Sequence, residues 1–124
     1  MGAVQLYEEV WSTGSVAALD TIMTEDHVQR DQLYQRERTE GGRERMQKGI
    51  AAYRGVVPGL TFTVQHVAVD EPAQTVTVEW TNDPGDGGGE GAIGVSVLTV
   101  RDGRIAETRV YRSVPQQEAD SRQA

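Results

Sequence analysis

The chain contains no cysteine, so disulfides, thiolate nucleophiles and cysteine-built zinc sites are excluded. Aromatic residues are also few, with two Trp, four Tyr and one Phe among 124 residues. We therefore expect each of them to lie in the core or around a cavity. The length suits one domain, which can bury roughly two-thirds of its unfolded surface.

Long apolar segments are lacking as well. No run approaches the roughly 20 residues of a membrane span, so we expect a soluble protein without a membrane partner. The first residues, "MGAVQLYEEVW", lack the basic and apolar regions of a signal peptide. This favours a cytoplasmic location, although a targeting peptide removed earlier would leave no trace.

Basic residues are outnumbered, since 12 Lys and Arg face 19 Asp and Glu. The net charge of −7 argues against nucleic acid as a partner, because phosphate neutralisation needs a basic surface. Seven of the twelve basic residues nevertheless fall between positions 30 and 54: Arg30, Arg36, Arg38, Arg43, Arg45, Lys48 and Arg54. We favour a solvated helix face with local ion pairs here over a patch that faces an anion or a partner.

Metal and nucleophile motifs are absent from the sequence. Only two histidines occur, His27 and His66, and no H-E-x-x-H spacing joins them to acids. Serine residues show no nucleophile elbow. We predict no metal site and no cofactor.

A glycine-rich stretch, "NDPGDGGGEGAIG", spans residues 82 to 94. Loops that bind phosphate lead from a strand into a helix, whose first amides meet the anion. This stretch instead joins two predicted strands, and Asp83, Asp86 and Glu90 would repel a phosphate. We predict a long hairpin connection. It is either a rim or lid beside a cavity or an insertion on the surface.

Three helices are predicted from apolar residues at helical spacing. The first carries Val4, Tyr7, Val10 and Trp11 and ends at Gly14. The second follows an N-cap at Ser15 and carries Val16, Leu19, Ile22 and Met23. The third carries Met46, Gly49, Ile50 and Tyr53 and stops at Gly55 and Pro58.

Strands dominate the rest of the chain. A short strand is predicted around His27 to Asp31. Four more follow Pro58: "LTFTVQHVAV", "TVTVEWT", "AIGVSVLTV" and "RIAETRVYRSV". Hairpins connect these four, and "RDG" supplies the tightest turn. We expect an α+β domain in which three N-terminal helices cover one face of a strongly curved antiparallel sheet. A pocket would lie between the sheet and the helices.

Several segments carry a resemblance to a known family: "YEEVWSTGSVAALDTIMTED", "VVPGLTFTVQHV", "VTVEWT" and "VRDGRIAETRVYRS". The chain resembles the SnoaL-like polyketide cyclase family of the NTF2-like superfamily over about residues 7 to 113. The resemblance implies a cone-shaped domain over residues 1–115, and the last residues, 116–124, read as a disordered polar tail.

The resemblance also bears on function. It implies a pocket for a small apolar, carbonyl-containing molecule and acid–base chemistry of the cyclase or isomerase type. The alternative is a non-catalytic ligand-binding module or a dimeric interaction module. A homodimer through the sheet face fits either one. The cyclase members have an acid or base near the end of the last strand, and the matching position here is Ser113. Serine cannot take that role at neutral pH without a base beside it.

The candidate catalytic residues are His27, Asp31 and Glu107. Alternation along a strand places His27 and Asp31 on one face, where burial could tune either toward proton transfer. Glu107 shares a face with Arg109. That face either lines the cavity, where the pair could polarise a carbonyl, or lies outside and makes ion pairs or a dimer contact. The second possibility is favoured.

The candidate ligand-binding residues are mostly aromatic. They are Trp11, Tyr34, Tyr53, Phe62, Trp80, Arg109 and Tyr111. Tyr34 could donate to a ligand carbonyl or pack at the rim. The remaining aromatics belong first to the core and second to a wall that lines a ligand, and in a hollow fold these roles overlap.

Overall fold

The computed structural model describes residues 2–31, 36–38, 41–86 and 91–113, with the backbone alone at Asp31 and at residues 36–38. Helix α1 (Ala3–Gln5) continues as a π-helical segment (Leu6–Trp11), and a 3₁₀ turn (Val16–Ala18) leads into α2 (Leu19–Ile22). The other elements are β1 (Met23–Asp31), β2 (Arg36–Arg38), α3 (Gly42–Val56), β3 (Thr61–Asp70), β4 (Thr75–Asp83), β5 (Ile93–Arg101) and β6 (Arg104–Arg112).

The six strands form one sheet in the order β2-β1-β6-β5-β4-β3. Neighbouring strands are antiparallel except β1 and β6, which run parallel. The expected α+β architecture is confirmed, but the sheet is mixed rather than wholly antiparallel. No hairpin joins β1 to β6, so turn geometry does not impose an antiparallel arrangement on them. The third helix lies between β2 and β3, so only two helical segments precede the sheet.

The buried side of α1 and the π-helical segment that continues it differs from the predicted stripe. Tyr7 and Val10 are buried as expected, but Leu6 is fully buried while Val4 is 43% exposed. Ala3, Leu6 and Val10 also recur at helical spacing, so the sequence offers two overlapping stripes. The sheet selects the one that includes Leu6.

Irregular register at two places in the antiparallel pairs favours a curved sheet. Register shifts occur between Val64 and His66 in the β3–β4 pair and between Thr99 and Val100 in the β5–β6 pair. Extra residues of this kind bend a strand and increase its twist. A sheet bent in this way can wrap around the helices that cover its inner face.

Alternation along the strands separates an inner face from an outer face. Inward-facing side chains belong to the core and include Val76, Val78 and Trp80 of β4 and Leu98 of β5. The outer face carries polar and apolar side chains, among them Glu79, Val95, Val97 and Tyr111. The inner face is therefore where an enclosed site can form.

The glycine-rich stretch joins β4 to β5, as predicted. Asn82 holds the two ends of this connection together, because its backbone N–H donates to the Ala92 carbonyl at 2.9 Å. The Asn82 side-chain oxygen accepts a hydrogen bond from the Ala92 N–H at 2.7 Å. Residues 87–90 of this stretch and the predicted polar tail lie outside the described residues. None of the helices in the described ranges is long and apolar enough to traverse a bilayer.

Candidate functional site

His27 lies on the inner face of β1 and is only 1% exposed. Its Nε2 lies 2.8 Å from Oγ1 of Thr108, a buried residue of β6. The other ring nitrogen, Nδ1, is buried and has no hydrogen-bond partner among the described residues. Burial lowers the pKa of His27 to about 4, partly offset by the nearby Asp26 carboxylate. The imidazole is therefore neutral near pH 7.

A second polar cluster lies on the same face and is formed by Tyr7, Trp80 and Ser96. The Tyr7 hydroxyl donates to Ser96 Oγ at 2.5 Å, and the Trp80 indole N–H donates to the same oxygen at 3.0 Å. All three residues are buried. Desolvation raises the pKa of Tyr7 to about 12, although the Ser96 bond opposes this, so the phenol keeps its proton.

The hydrogen bonds of this cluster leave one hydroxyl proton unused. Trp80 provides one N–H, and Tyr7 and Ser96 provide one O–H each. If Tyr7 donates to Ser96, the Ser96 proton has no acceptor among the described residues. If Ser96 donates to Tyr7, the phenol proton is left instead. A buried donor without an acceptor costs free energy, so the cluster is suited to an incoming oxygen acceptor.

The two clusters are close neighbours on the sheet. Thr108 is directly opposite Leu98 in the β5–β6 register, and Ser96 is two residues from Leu98 on the same face. Diagonal neighbours of this kind are roughly 7–8 Å apart. The His27–Thr108 pair and the Tyr7–Ser96 pair therefore lie side by side on the inner face of the sheet.

An aromatic chain connects the surface with the Tyr7 cluster. Tyr53, 46% exposed, has its ring centroid 6.1 Å from that of Trp11. Trp11 lies 5.5 Å from Phe62, and Phe62 lies 5.0 Å from Trp80 and 5.6 Å from Tyr7. Four of the predicted ligand-binding aromatics thus form one continuous chain of ring contacts that ends at the buried hydroxyls.

Glu107 and Arg109 lie on the outer face of the sheet. Glu107 Oε1 is 3.1 Å from Arg30 Nε and 3.9 Å from Arg109 Nε. Tyr111 belongs to the same face and is 45% exposed. The structure thus separates these three candidates from His27, and it matches the favoured alternative, in which the acidic and basic pair makes outer ion pairs.

The structure describes two other candidates, Asp31 and Tyr34, less fully. Asp31 is in register with Val110 of β6 and with Arg36 of β2, but its side chain lies outside the described part. Tyr34 is outside the described residues altogether. Ser113 has a structural role: its Oγ accepts a hydrogen bond from the Ile93 N–H at 3.0 Å, and its own N–H donates to the Ile93 carbonyl.

An open groove of about 1060 Å³ lies between the start of α3 and the β5–β6 turn. Its basic side chains are largely matched by acids. Arg101 forms a 2.6 Å ion pair with Asp26 and thereby lowers the pKa of that carboxyl. Arg43 is 3.3 Å from Asp20. Ion pairs therefore account for these basic residues, and no group of His, Asp and Glu within the described ranges is arranged to hold a metal ion.

Sequence reasoning missed Tyr7, Ser96 and Thr108 as site residues. Tyr7 was assigned to a helical stripe, and the two hydroxyl residues lie in apolar strands. Strand alternation held a signal for Ser96. It is two residues from Leu98 and therefore lies on the same, buried face, where a polar side chain needs a hydrogen-bond partner. What alternation does not show is which distant residue supplies that partner.

The family model for the SnoaL-like domain matches residues 3–108. The chain belongs to the SnoaL-like family. No curated protein sequence is similar enough to this SnoaL-like protein to count as a match.

Solved structures share its fold at low sequence identity. IdmH from Streptomyces antibioticus, a candidate polyketide cyclase, is 20% identical, with 87% of this chain and 86% of IdmH covered and a TM-score of 0.70. An NTF-2-like protein of unknown function from Burkholderia xenovorans is 21% identical, with coverage of 91% and 81% and a TM-score of 0.68. A hypothetical protein with a ketosteroid isomerase-like fold from Catenulispora acidiphila, in complex with trimethylamine, is 19% identical, with coverage of 90% and 85% and a TM-score of 0.73. These likenesses establish an NTF2-like fold.

Proposed function

We propose that this SnoaL-like protein binds a small apolar molecule that contains a carbonyl group and catalyses cyclase- or isomerase-type acid–base chemistry on it. One observation carries the proposal. Two buried polar clusters with unused hydrogen-bonding capacity, a hydroxyl proton at Tyr7 and Ser96 and Nδ1 of His27, share the inner face of the sheet.

The Tyr7–Ser96 pair is assigned to the carbonyl oxygen. The pair has one hydroxyl proton to donate, and a carbonyl oxygen supplies the acceptor that the cluster lacks. When negative charge develops on that oxygen, a fixed donor in a site without water stabilises it more than bulk solvent does. Trp80 holds Ser96 Oγ in place through its indole N–H.

His27 is assigned to proton transfer. When Nε2 donates to Thr108, Nδ1 carries a lone pair and can remove a proton from the carbon beside the carbonyl. The electron pair moves onto the carbonyl oxygen and gives an enolate. The proton on His27 is then returned to another carbon in an isomerisation. In a cyclisation, the enolate carbon attacks a second carbonyl, and the proton goes to the oxygen of that group.

The aromatic chain is assigned to the apolar body of the ligand. Trp11, Tyr53, Phe62 and Trp80 would form one wall, with Tyr53 at the exposed end. The trimethylamine complex of the Catenulispora protein supports the view that this fold accommodates small organic molecules. Asp31 and Tyr34 remain proposed as a second acid–base group and a second carbonyl donor.

The test uses cyclohex-3-enone, a small β,γ-unsaturated ketone, as the probe. Its conversion to the conjugated ketone is followed by ultraviolet absorbance. We expect the wild-type protein to exceed the buffer rate, His27→Gln to lose the excess, and Tyr7→Phe to reduce it. Quenching of tryptophan fluorescence by the ketone without any rate enhancement would favour the alternative, a non-catalytic binding module.

A second candidate function, homodimer formation through the outer sheet face, has its own supporting observation. Ile93 is 62% exposed and Tyr111 is 45% exposed on that face. Val95, which pairs with Tyr111, and Val97 lie on the same face. A second copy would cover this surface. Ile93→Lys should then shift the protein to the monomer in sedimentation without altering ketone isomerisation.

A further inference from the structure

Strand β3 forms one edge of the sheet, and its first half is protected. Ser12 Oγ accepts a hydrogen bond from the Phe62 N–H at 2.7 Å and lies 3.3 Å from the Phe62 carbonyl. Glu8 Oε2 accepts one from the Val64 N–H at 2.9 Å. Side chains of the first helical segment thus occupy the outward backbone groups of residues 62 and 64.

Within the described ranges, no side chain protects the second half of β3 in this way. Every residue from 65 to 70 is exposed, including Val67 at 36% and Val69 at 64%. The register shift after Val64 makes His66 pair with Glu79 and Ala68 with Thr77. Because Val64 directs its N–H away from β4, alternation through this shift directs the backbone groups of Val67 and Val69 outward too. An edge with free backbone groups is a template for another strand.

We propose that a second copy of this chain pairs with this edge, β3 to β3 and antiparallel, with Ala68 at the two-fold axis. In that register Val67 lies opposite Val69 of the other copy, and the two exchange backbone hydrogen bonds. His66 lies opposite Asp70. The small Ala68 lies opposite its own counterpart at a non-hydrogen-bonded pair, where two antiparallel strands bring their Cα atoms closest together.

The sequence of the edge favours a second copy over another peptide. Residues 66 to 70, "HVAVD", are self-complementary about Ala68. A valine lies on each side of the alanine, and a histidine at one end matches an aspartate at the other. A symmetric contact needs this property, because each residue must suit its symmetry-related partner. The opposite edge, β2, has only three residues, "RER", and is charged throughout.

Neighbouring charges contribute little to the contact. His66 also faces Glu79 of its own chain, and the Asp70 carboxylate accepts a hydrogen bond from the Ala73 N–H at 3.2 Å. Exposed ion pairs contribute about 0–1 kcal/mol. The backbone hydrogen bonds and the valine contacts must therefore provide most of the association, and we expect a weak, concentration-dependent contact.

Cysteine crosslinking tests the register directly, since the natural chain has no cysteine. Ala68→Cys places two thiols at the two-fold axis, where Cα atoms of a non-hydrogen-bonded pair are about 4.5 Å apart, within disulfide range. Ala73→Cys, in the exposed turn after β3, is the matched control. In a glutathione redox buffer we expect interchain crosslinking at position 68 to be at least tenfold faster. Equal rates would overturn the proposal.

Two further variants distinguish this edge from the outer sheet face. Val69→Pro removes an outward N–H, which an edge strand tolerates, and should abolish the rapid crosslinking of Ala68→Cys. Circular dichroism and the melting temperature would verify the fold, and Val67→Lys replaces Val69→Pro if that variant does not fold. Ile93→Lys should leave the crosslinking unchanged. If Ile93→Lys abolishes it while the β3 variants do not, the edge contact is wrong.

Discussion

The phenol oxygen of Tyr7 lies 2.5 Å from Ser96 Oγ, although 89 positions separate the two residues in the sequence. This contact joins the first helical segment to the centre of the sheet and adds a polar pair to a largely apolar core. Because Trp80 donates to the same oxygen, the arrangement has one donor more than it can use. A core assembled only for stability has no need of that surplus.

Tyr7→Phe tests whether the phenol acts on a ligand. Loss of one buried hydrogen bond should lower the free energy of unfolding by about 1 kcal/mol. Loss of a donor to a developing oxyanion should lower the isomerisation rate by about 10²–10³-fold. Urea unfolding and the ketone assay measure the two effects. Tyr111→Phe, on the outer face, should change neither, and a similar loss of rate there would contradict the assignment.

His27→Gln tests the buried imidazole through pH. The pKa of His27 is about 4 in the folded protein, below its ordinary value of 6.5, so the unfolded chain binds the extra proton first. Stability is therefore greatest above pH 6.5, falls as the pH drops toward 4 and then levels off, by about 3 kcal/mol in all. Denaturant melts at several pH values should show this loss for the wild type and not for His27→Gln. Parallel pH dependences of stability for the wild type and His27→Gln would refute the assignment of this loss to His27.

Gly94→Ala tests the packing beside the Tyr7 cluster. A Cβ at Gly94 would overlap the Trp80 ring, so the ring must move and the variant should lose about 1–3 kcal/mol of stability. The displacement should also alter tryptophan fluorescence. The matched control is Gly49→Ala, an exposed helix position with nothing within 4 Å, where we expect a gain of about 0.5–1 kcal/mol. Equal effects at the two positions would rule out this account.

Arg54→Ala tests a junction at the end of α3. The guanidinium donates to the Trp11 and Leu60 carbonyls at 2.9 and 2.6 Å and to the Pro58 carbonyl at 3.0 Å. Removing it leaves these carbonyls with fewer donors and should cost about 1.5–3 kcal/mol. Arg104→Ala, at the exposed first residue of β6, should stay within about 0.5 kcal/mol of the wild type in the same thermal melt. A neutral Arg54→Ala would show that solvent satisfies the carbonyls.

Glu107→Gln separates the inner face from the outer one. Glu107 contacts Arg30 and Arg109 on the outer face, so we expect the ketone isomerisation rate to stay within twofold of the wild type. Stability should fall by no more than about 1 kcal/mol, the usual contribution of partly exposed ion pairs. A large loss of rate at unchanged stability would move the reacting group to the outer face.

Much of the fold could be predicted from local patterns. Alternation identified the four long strands, and the absence of a helix after the glycine-rich stretch excluded a phosphate loop. Local patterns failed where two elements far apart in sequence determine the outcome. The parallel pairing of β1 with β6 is one example, and the exposure of Val4 in place of Leu6 is another. Both depend on which surface the element meets.

The sequence by itself determined the strand phases, and with them the placement of Glu107 and Arg109 on a face they share. It also determined the absence of thiol chemistry and the excess of acidic charge. Only the tertiary structure decided which face is inner, because alternation is symmetric until helices cover one side. The pairings of His27 with Thr108 and of Tyr7 with Ser96 were decided in the same way, since register and helix packing bring together groups that local spacing cannot relate.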